Sequence, residues 1–240
     1  MVNLKPNRML AILAHPDDES FAVGGTLAKY AHQGIQVVLL TATRGEAGIL
    51  GTKPEAAGAI RELELLRAAK HLGIEVYFLD YQDGELSTAN PEKLLEHIAC
   101  WIDTVRPQVV LTFGPDGISG HPDHVMISHI VTQAVEKFFP DVCLLYIAPS
   151  KATILGCGVP ASSANPDQPL ISVDISDYKI EKIRAIQSHI SQHPPLEGKA
   201  EEEVDKVPCH EYFTIAHSMK KSRDLMDCFD IVEDRDVSQT

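Results

Sequence analysis

Short, nearly all-apolar runs alternate along the chain with longer segments of helical periodicity. Met9–Ala14, Val37–Ala42, Val76–Leu79, Val109–Phe113 and Cys143–Ala148 carry almost no polar residues, as expected of strands buried on both faces. Between them the pattern predicts helices over Gly24–Gln33, Glu55–His71, Pro91–Val105 and His124–Phe138. In the second of these, Ile60, Leu63, Leu66 and Ala69 recur at helical spacing, and Gly73 supplies a stop signal. Pro91 stands where a first helical residue belongs, with Asn90 before it as a cap.

Alternation of this kind implies parallel strands joined by crossovers, hence an α/β fold: a three-layer Rossmann-like sandwich with a mainly parallel sheet. A strand over Leu170–Asp174 and a helix from about Asp177 to Ser191 extend the scheme. Gly114–Gly120 and Pro149–Pro169 have the Gly, Pro, Ser and Asn content of long loops, and Pro194–Pro208 that of a polar connection. Glu201–Glu203 is expected to be a solvated charge run, and the acidic tail from about residue 229 to fray. No repeat or internal boundary is visible, so residues 1–240 are taken as one domain.

Composition narrows the function classes. Acidic residues outnumber basic ones 34 to 21, a formal charge of −13, which argues against a nucleic-acid or anionic-membrane surface. The five cysteines are scattered and form no CxxC pair, so neither a disulfide framework nor a thiolate metal site is expected, and a reducing cytoplasm fits best. No stretch reaches the roughly 20 apolar residues of a membrane span, and the run at Met9–Ala14 is too short for a signal sequence.

The chemistry is concentrated at two strand ends. In an open parallel sheet the ligand site lies beyond the carboxyl ends of the strands. His15-Pro16-Asp17-Asp18-Glu19 follows the first strand, and His121-Pro122-Asp123-His124 follows the fourth and its glycine-containing loop. Two imidazoles and a carboxylate, with one position open, form a common catalytic zinc arrangement. His15 and Asp18 on one tight turn, closed by His124 from the neighbouring loop, meet that description. Asp17 then lies beside the metal and suits a general base, and His121, as a cation, can steady charge on a carbonyl oxygen. Each residue also has a plainer role available: Asp17 or Asp18 as cap of the first helix, Asp123 as cap of the next.

AHPDDE at 14–19, GGT at 24–26 and GHPDH at 120–124 resemble the LmbE-like (PIG-L) family of N-acetylglucosaminyl de-N-acetylases. TRGEAG at 43–48, Arg61 and Glu64 ahead of LGI, Asp83-Gly84 and HISQ at 189–192 extend the resemblance over most of the chain. It implies one zinc ion per chain held by His15, Asp18 and His124, with Asp17 as general base and His121 at the oxyanion. It further implies that Arg61 and Asp83 contact the sugar hydroxyls or aglycone, with Arg44, Glu46 and His189 in supporting positions. One departure is Ser119, where some mycothiol-pathway relatives carry a tyrosine.

The implied partner is a small-molecule amino-sugar derivative, with neither nucleic acid nor membrane, and a homo-oligomer remains open. A dinucleotide-dependent oxidoreductase of the same fold class is disfavoured, because HPDDESFAVGG stands where GxGxxG is needed. An amidase acting on a thiol-sugar conjugate and a non-catalytic sugar-binding relative are the remaining alternatives.

Overall fold

The computed structural model describes residues 8–148, 170–192, 199–217 and 232–234. The first half alternates β1 (Arg8–Leu13), α1 (Asp18–His32), β2 (Gln36–Thr43), α2 (Pro54–Leu72) and β3 (Glu75–Tyr81). It continues through α3 (Pro91–Val105), β4 (Val109–Phe113), α4 (Pro122–Phe138) and β5 (Cys143–Ala148). Then come β6 (Leu170–Asp174), α5 (Lys179–Ser188), β7 (His210–His217) and β8 (Val232–Asp234).

The strands form one sheet in the order β3-β2-β1-β4-β5-β7-β6-β8. β3, β2, β1, β4 and β5 are parallel, whereas β7 runs antiparallel to both β5 and β6, and β8 antiparallel to β6. α1, α2 and α5 pack on one another, and α3 packs on α4, which makes the second and third layers. β1 sits in the middle with its apolar residues Met9 to Leu13 fully buried, because helices cover both its faces. The expected three-layer, mainly parallel sandwich is the observed one. Strand order reverses between β1 and β4, and the carboxyl ends of those two strands define the crevice of an α/β fold.

Several expectations change. α1 begins at Asp18, not Gly24, because the Asp17 carbonyl already accepts the amides of Ser20 and Phe21 at 3.0 and 3.1 Å. The glycine pair that suggested a boundary lies inside the helix. A Cβ on Gly25 would lie 2.5 Å from Ile175, and the amides of Gly25 and Thr26 donate to Glu211 of β7 at 3.0 and 2.7 Å. On α2, Ile60, Leu63 and Leu66 are 42%, 55% and 39% exposed. The buried face instead carries Arg61 and Glu64 with Ala57, Leu65, Ala68 and Leu72.

β7 was not foreseen: HEYFTIAH has no continuous apolar run, and its burial is uneven. The helix expected from Asp177 to Ser191 is the shorter α5, and Ser176–Tyr178 form a 3₁₀ turn before it. Glu201–Glu203 is not wholly solvated, since Glu203 is buried while its two neighbours are exposed. β8 falls within the tail expected to fray. The loop expected at Pro149–Pro169 lies outside the described residues. Among the described residues, no helix is long and apolar enough to cross a membrane.

Candidate active site

The end of β1 is fastened before the site begins. The Ala14 carbonyl accepts the amide and hydroxyl of Thr43 at 3.0 and 3.1 Å, so His15 leaves the sheet at a fixed point. The turn that follows is closed by Asp18, whose Oδ2 accepts the His15 amide at 2.7 Å. Asp17, between them, adopts φ 115°, a conformation that costs a residue with a side chain on the order of 1–3 kcal/mol. It occupies the N-cap position of α1, yet its carboxylate makes no capping hydrogen bond. The side chain is thereby left for the site.

From the end of β4, the loop Gly114–Gly120 delivers the second cluster. Gly117, at φ +66°, passes so close to α4 that a Cβ there would lie 2.7 Å from the His124 Cβ. Its carbonyl accepts His124 Nδ1–H at 3.1 Å, and Phe113 stacks flat on the imidazole with centroids 4.0 Å apart. His124 therefore carries a proton on Nδ1 and turns Nε2 into the crevice. His15 is fixed in the opposite sense. Its Nε2 lies 3.0 Å from Asp83 Oδ1 and 3.2 Å from Asp123 Oδ2, which places a proton there and turns Nδ1 into the crevice.

The two inward-facing nitrogens meet. His15 Nδ1 stands 3.1 Å from His124 Nε2, and the Asp18 carboxylate lies 3.3 Å from His124 Nε2 and 3.7 Å from His15 Nδ1. Ligands bound at about 2.0–2.1 Å to a tetrahedral ion are spaced by about 3.3 Å, close to the separations of His124 Nε2 from His15 Nδ1 and from Asp18 Oδ1, while the 3.7 Å approach to His15 is made by Asp18 Oδ2. Carboxylates commonly hold the far nitrogen of a metal-ligating histidine, and Asp83 and Asp123 stand in that position to His15.

The electrostatics agree. Burial disfavours a charged His15, yet hydrogen bonds to Asp123 and Asp83 and the charge of Asp18 raise its pKa to about 10, so without an ion Nδ1 also carries a proton, which a bound cation would displace. For His124, too, the Asp18 carboxylate overcomes burial and raises the pKa. Burial would raise Asp18, but the two histidines bring it below the usual carboxylate range. The cluster is thus built to draw positive charge to the point between these three side chains.

His121 stands beside them: its ring nitrogen lies within 4.8 Å of those of His15 and His124. It is the true N-cap of α4, with Nδ1 accepting the Asp123 amide at 3.2 Å. An acceptor Nδ1 leaves the proton on Nε2, and burial together with the charges of His15 and His124 lowers the pKa. Both features favour a neutral N–H donor over the cation expected from sequence.

Asp17 has the opposite environment. Burial and the neighbouring Asp18 and Glu19 carboxylates raise its pKa well above the ordinary range, while Arg61 and His189 oppose the rise.

Arg61 and Asp83, expected at the sugar, both bond to the protein itself, although Arg61 Nε is buried without a hydrogen-bond partner. Arg61 is 4% exposed. Its Nη2 donates to the Pro16 carbonyl and lies 3.4 Å from Asp17, and its Nη1 donates to the Gly45 carbonyl at 3.2 Å. Gly45 and Gly48 wrap the guanidinium so closely that a Cβ on either would lie 2.3 Å from Nη1. Asp83 holds His15 with one oxygen and accepts the Ala47 amide at 3.0 Å with the other.

Among the supporting positions, Arg44 is engaged with Asp80 and Glu62, and His189 pairs with Glu19 at 2.8 Å. One carboxylate oxygen of Glu46 is buried without a partner. Ser119 accepts the His121 amide with its hydroxyl at 3.4 Å.

Asp123 is the residue that sequence reasoning placed elsewhere. It was considered as a helix cap, but it is 0% exposed and accepts the Gly84 and Leu86 amides at 2.7 and 3.1 Å besides holding His15. The usable signal was the one carboxylate inside HPDH, immediately before a histidine aimed at the crevice.

The fold and site define a three-layer α/β protein with a histidine–carboxylate cluster that could hold a metal ion at its topological switch point. Residues 10–135 match the family model of PIG-L, GlcNAc-PI de-N-acetylase. The chain is 33% identical over 261 residues to a 1D-myo-inositol 2-acetamido-2-deoxy-alpha-D-glucopyranoside deacetylase of Saccharomonospora viridis, covering 90% of this chain and 97% of that one. A protein of the same name from Kineococcus radiotolerans is 37% identical over 163 residues, 55% of this chain and 45% of its own length. Among solved structures, N,N'-diacetylchitobiose deacetylase from Pyrococcus horikoshii superposes with a TM-score of 0.66 at 25% identity, covering 87% of this chain and 83% of that one. The chain belongs to the PIG-L family of de-N-acetylases, hydrolases of an amide bond.

Proposed function

We propose that the protein removes the acetyl group from an N-acetylglucosamine derivative, using one zinc ion per chain held by His15, Asp18 and His124. The observation that carries this reading is the meeting of two histidine nitrogens, both with tautomers set by outside partners, beside a carboxylate of Asp17 left uncapped. Two imidazoles and one carboxylate suit zinc among the divalent metals. Zinc bound in this way brings the pKa of water to about 7 and polarises a carbonyl.

The chain's own groups supply the rest. Asp17 takes the proton of the attacking water and returns it to the departing amine, which demands a carboxylate whose pKa lies nearer neutrality than usual. His121 donates its Nε2–H to the oxygen on which negative charge develops, and as a neutral donor it needs no proton from solvent. Asp83 and Asp123 hold the His15 ring, and Arg61 holds the Pro16–Asp17 turn; in this mechanism both groups position the reacting residues. The products are acetate and a free amine. Free thiols at Cys100, Cys143 and Cys209 support a reducing cytoplasm as the setting.

Acetate release from N-acetylglucosamine, its malate and inositol glycosides and diacetylchitobiose tests the reaction and identifies the aglycone. Release from at least one, abolished in Asp17→Asn, is the expected result. Cleavage of a cysteinyl amide of a thiol-sugar conjugate in preference to every acetyl substrate would replace it.

A further inference from the structure

We propose that Glu19 is the positioning residue of the general base, holding Asp17 through its backbone amide and itself held by His189; this rests on Asp17 acting as the base. Glu19 and His189 are both 0% exposed. Glu19 Oε2 accepts the Asp17 amide at 3.0 Å, while Oε1 accepts from the Ser20 hydroxyl and lies 2.8 Å from His189 Nε2. The second ring nitrogen of His189 is buried without a hydrogen-bond partner. Its side chain therefore comes from the end of α5 to serve Glu19.

The arrangement is related to one half of a capping box, with the reach-back made from the second helical residue, Glu19, in place of the third. In the full device the cap side chain bonds an amide of the first turn while an acidic side chain reaches back to the cap residue's own amide. Here Glu19 reaches back, but the Asp17 carboxylate makes no return bond. The positive φ of Asp17 turns the side chain out of the capping direction and toward Arg61, 3.4 Å away. Such a conformation persists only where its surroundings over-determine it. Arg61 fixes the carbonyl before Asp17, and Glu19 fixes the amide.

A buried carboxylate–imidazole pair is in itself poor value for stability, since its desolvation offsets its attraction. What this pair does that an apolar pair cannot is accept the amide of the strained residue. HISQ is thereby accounted for: His189 holds Glu19, Ser191 donates to Glu64 through its amide and hydroxyl at 2.8 and 2.6 Å, and Gln192 donates to the Gly48 carbonyl at 3.3 Å.

Steady-state kinetics on zinc-loaded Glu19→Met, Glu19→Gln, Asp17→Asn and the Asp17→Asn/Glu19→Met double variant test this. Methionine fills the volume without an acceptor, and glutamine restores one; Glu19→Ala replaces the methionine variant if that fails to fold. Misplacement of a reacting group costs about 10²-fold, so Glu19→Met should lose kcat by that order. KM should stay within about twofold of the parent and zinc content unchanged, and Glu19→Gln should recover most of the loss. In the Asp17→Asn background Glu19→Met should cost nothing further, because a residue acting through Asp17 has nothing left to position. Parental kcat in Glu19→Met, or an equal loss in both backgrounds, overturns the proposal while leaving Asp17 as base. Parental kcat in Asp17→Asn overturns the base assignment, and this proposal with it.

Discussion

Asp123 Oδ2 stands 3.2 Å from Nε2 of His15, on the side of the ring away from the nitrogen that meets His124. The relationship decides which nitrogen is free to bind a metal. Asp123 has no exposure to solvent and accepts two backbone amides from the Gly84–Leu86 turn, so it transmits the position of that turn to the imidazole.

Asp123→Asn should weaken zinc binding by about 10–100-fold, the usual cost of removing a carboxylate that supports a metal-ligating histidine. Competition with a calibrated chelator measures this. Parental affinity would show that Asp83 alone orients His15.

His121→Ala should lower kcat by about 10²–10³, as the loss of an oxyanion donor does, with zinc content unchanged. His121 has a ring nitrogen within 4.8 Å of those of His15 and His124, but its Nδ1 is engaged by the α4 backbone. Parallel loss of zinc and activity would instead make it a ligand.

The pH dependence follows from Asp17. Burial, Asp18 and Glu19 raise its pKa, and Arg61 lowers it. A base works deprotonated, so kcat falls as pH drops through the pKa of Asp17. Arg61→Met removes a lowering influence, and the acidic limb of the kcat–pH profile should move to higher pH. A limb that stays fixed or moves down would separate Arg61 from Asp17.

Legibility in the sequence followed burial. β4, α3 and β5 were read with their observed limits because buried apolar runs and a Pro91 start state themselves plainly. The pairing of His15, Asp18 and His124 was legible because strand ends fix where such residues go. What was not legible depends on contacts between distant segments. The inward face of α2 follows from partners for Arg61 and Glu64 that lie on the Pro16 turn and at Ser191. Asp123 resembled a cap because capping is local, whereas its use by His15 spans the crevice. β7 joins an antiparallel extension of the sheet, and such a strand lacks the continuous apolar run that betrays the parallel ones.

Gly117→Ala tests the close approach beneath His124. A left-handed backbone costs about 1–2 kcal/mol for a residue with a Cβ, and at Gly117 the methyl also meets α4 at 2.7 Å. Gly34 has a similar φ of +83° but nothing within 4 Å. Gly117→Ala should therefore lower Tm more than Gly34→Ala and, unlike it, weaken zinc binding. Equal effects at the two positions would remove the packing argument.

The most direct test is elemental analysis of the protein after zinc reconstitution and desalting, beside the His15→Ala, Asp18→Ala and His124→Ala variants. About one zinc per parent chain, falling to a small fraction in each variant whose fold is intact, is the expected result. No retained zinc in the parent, or full retention in all three variants, would contradict the assignment of this cluster as the metal centre.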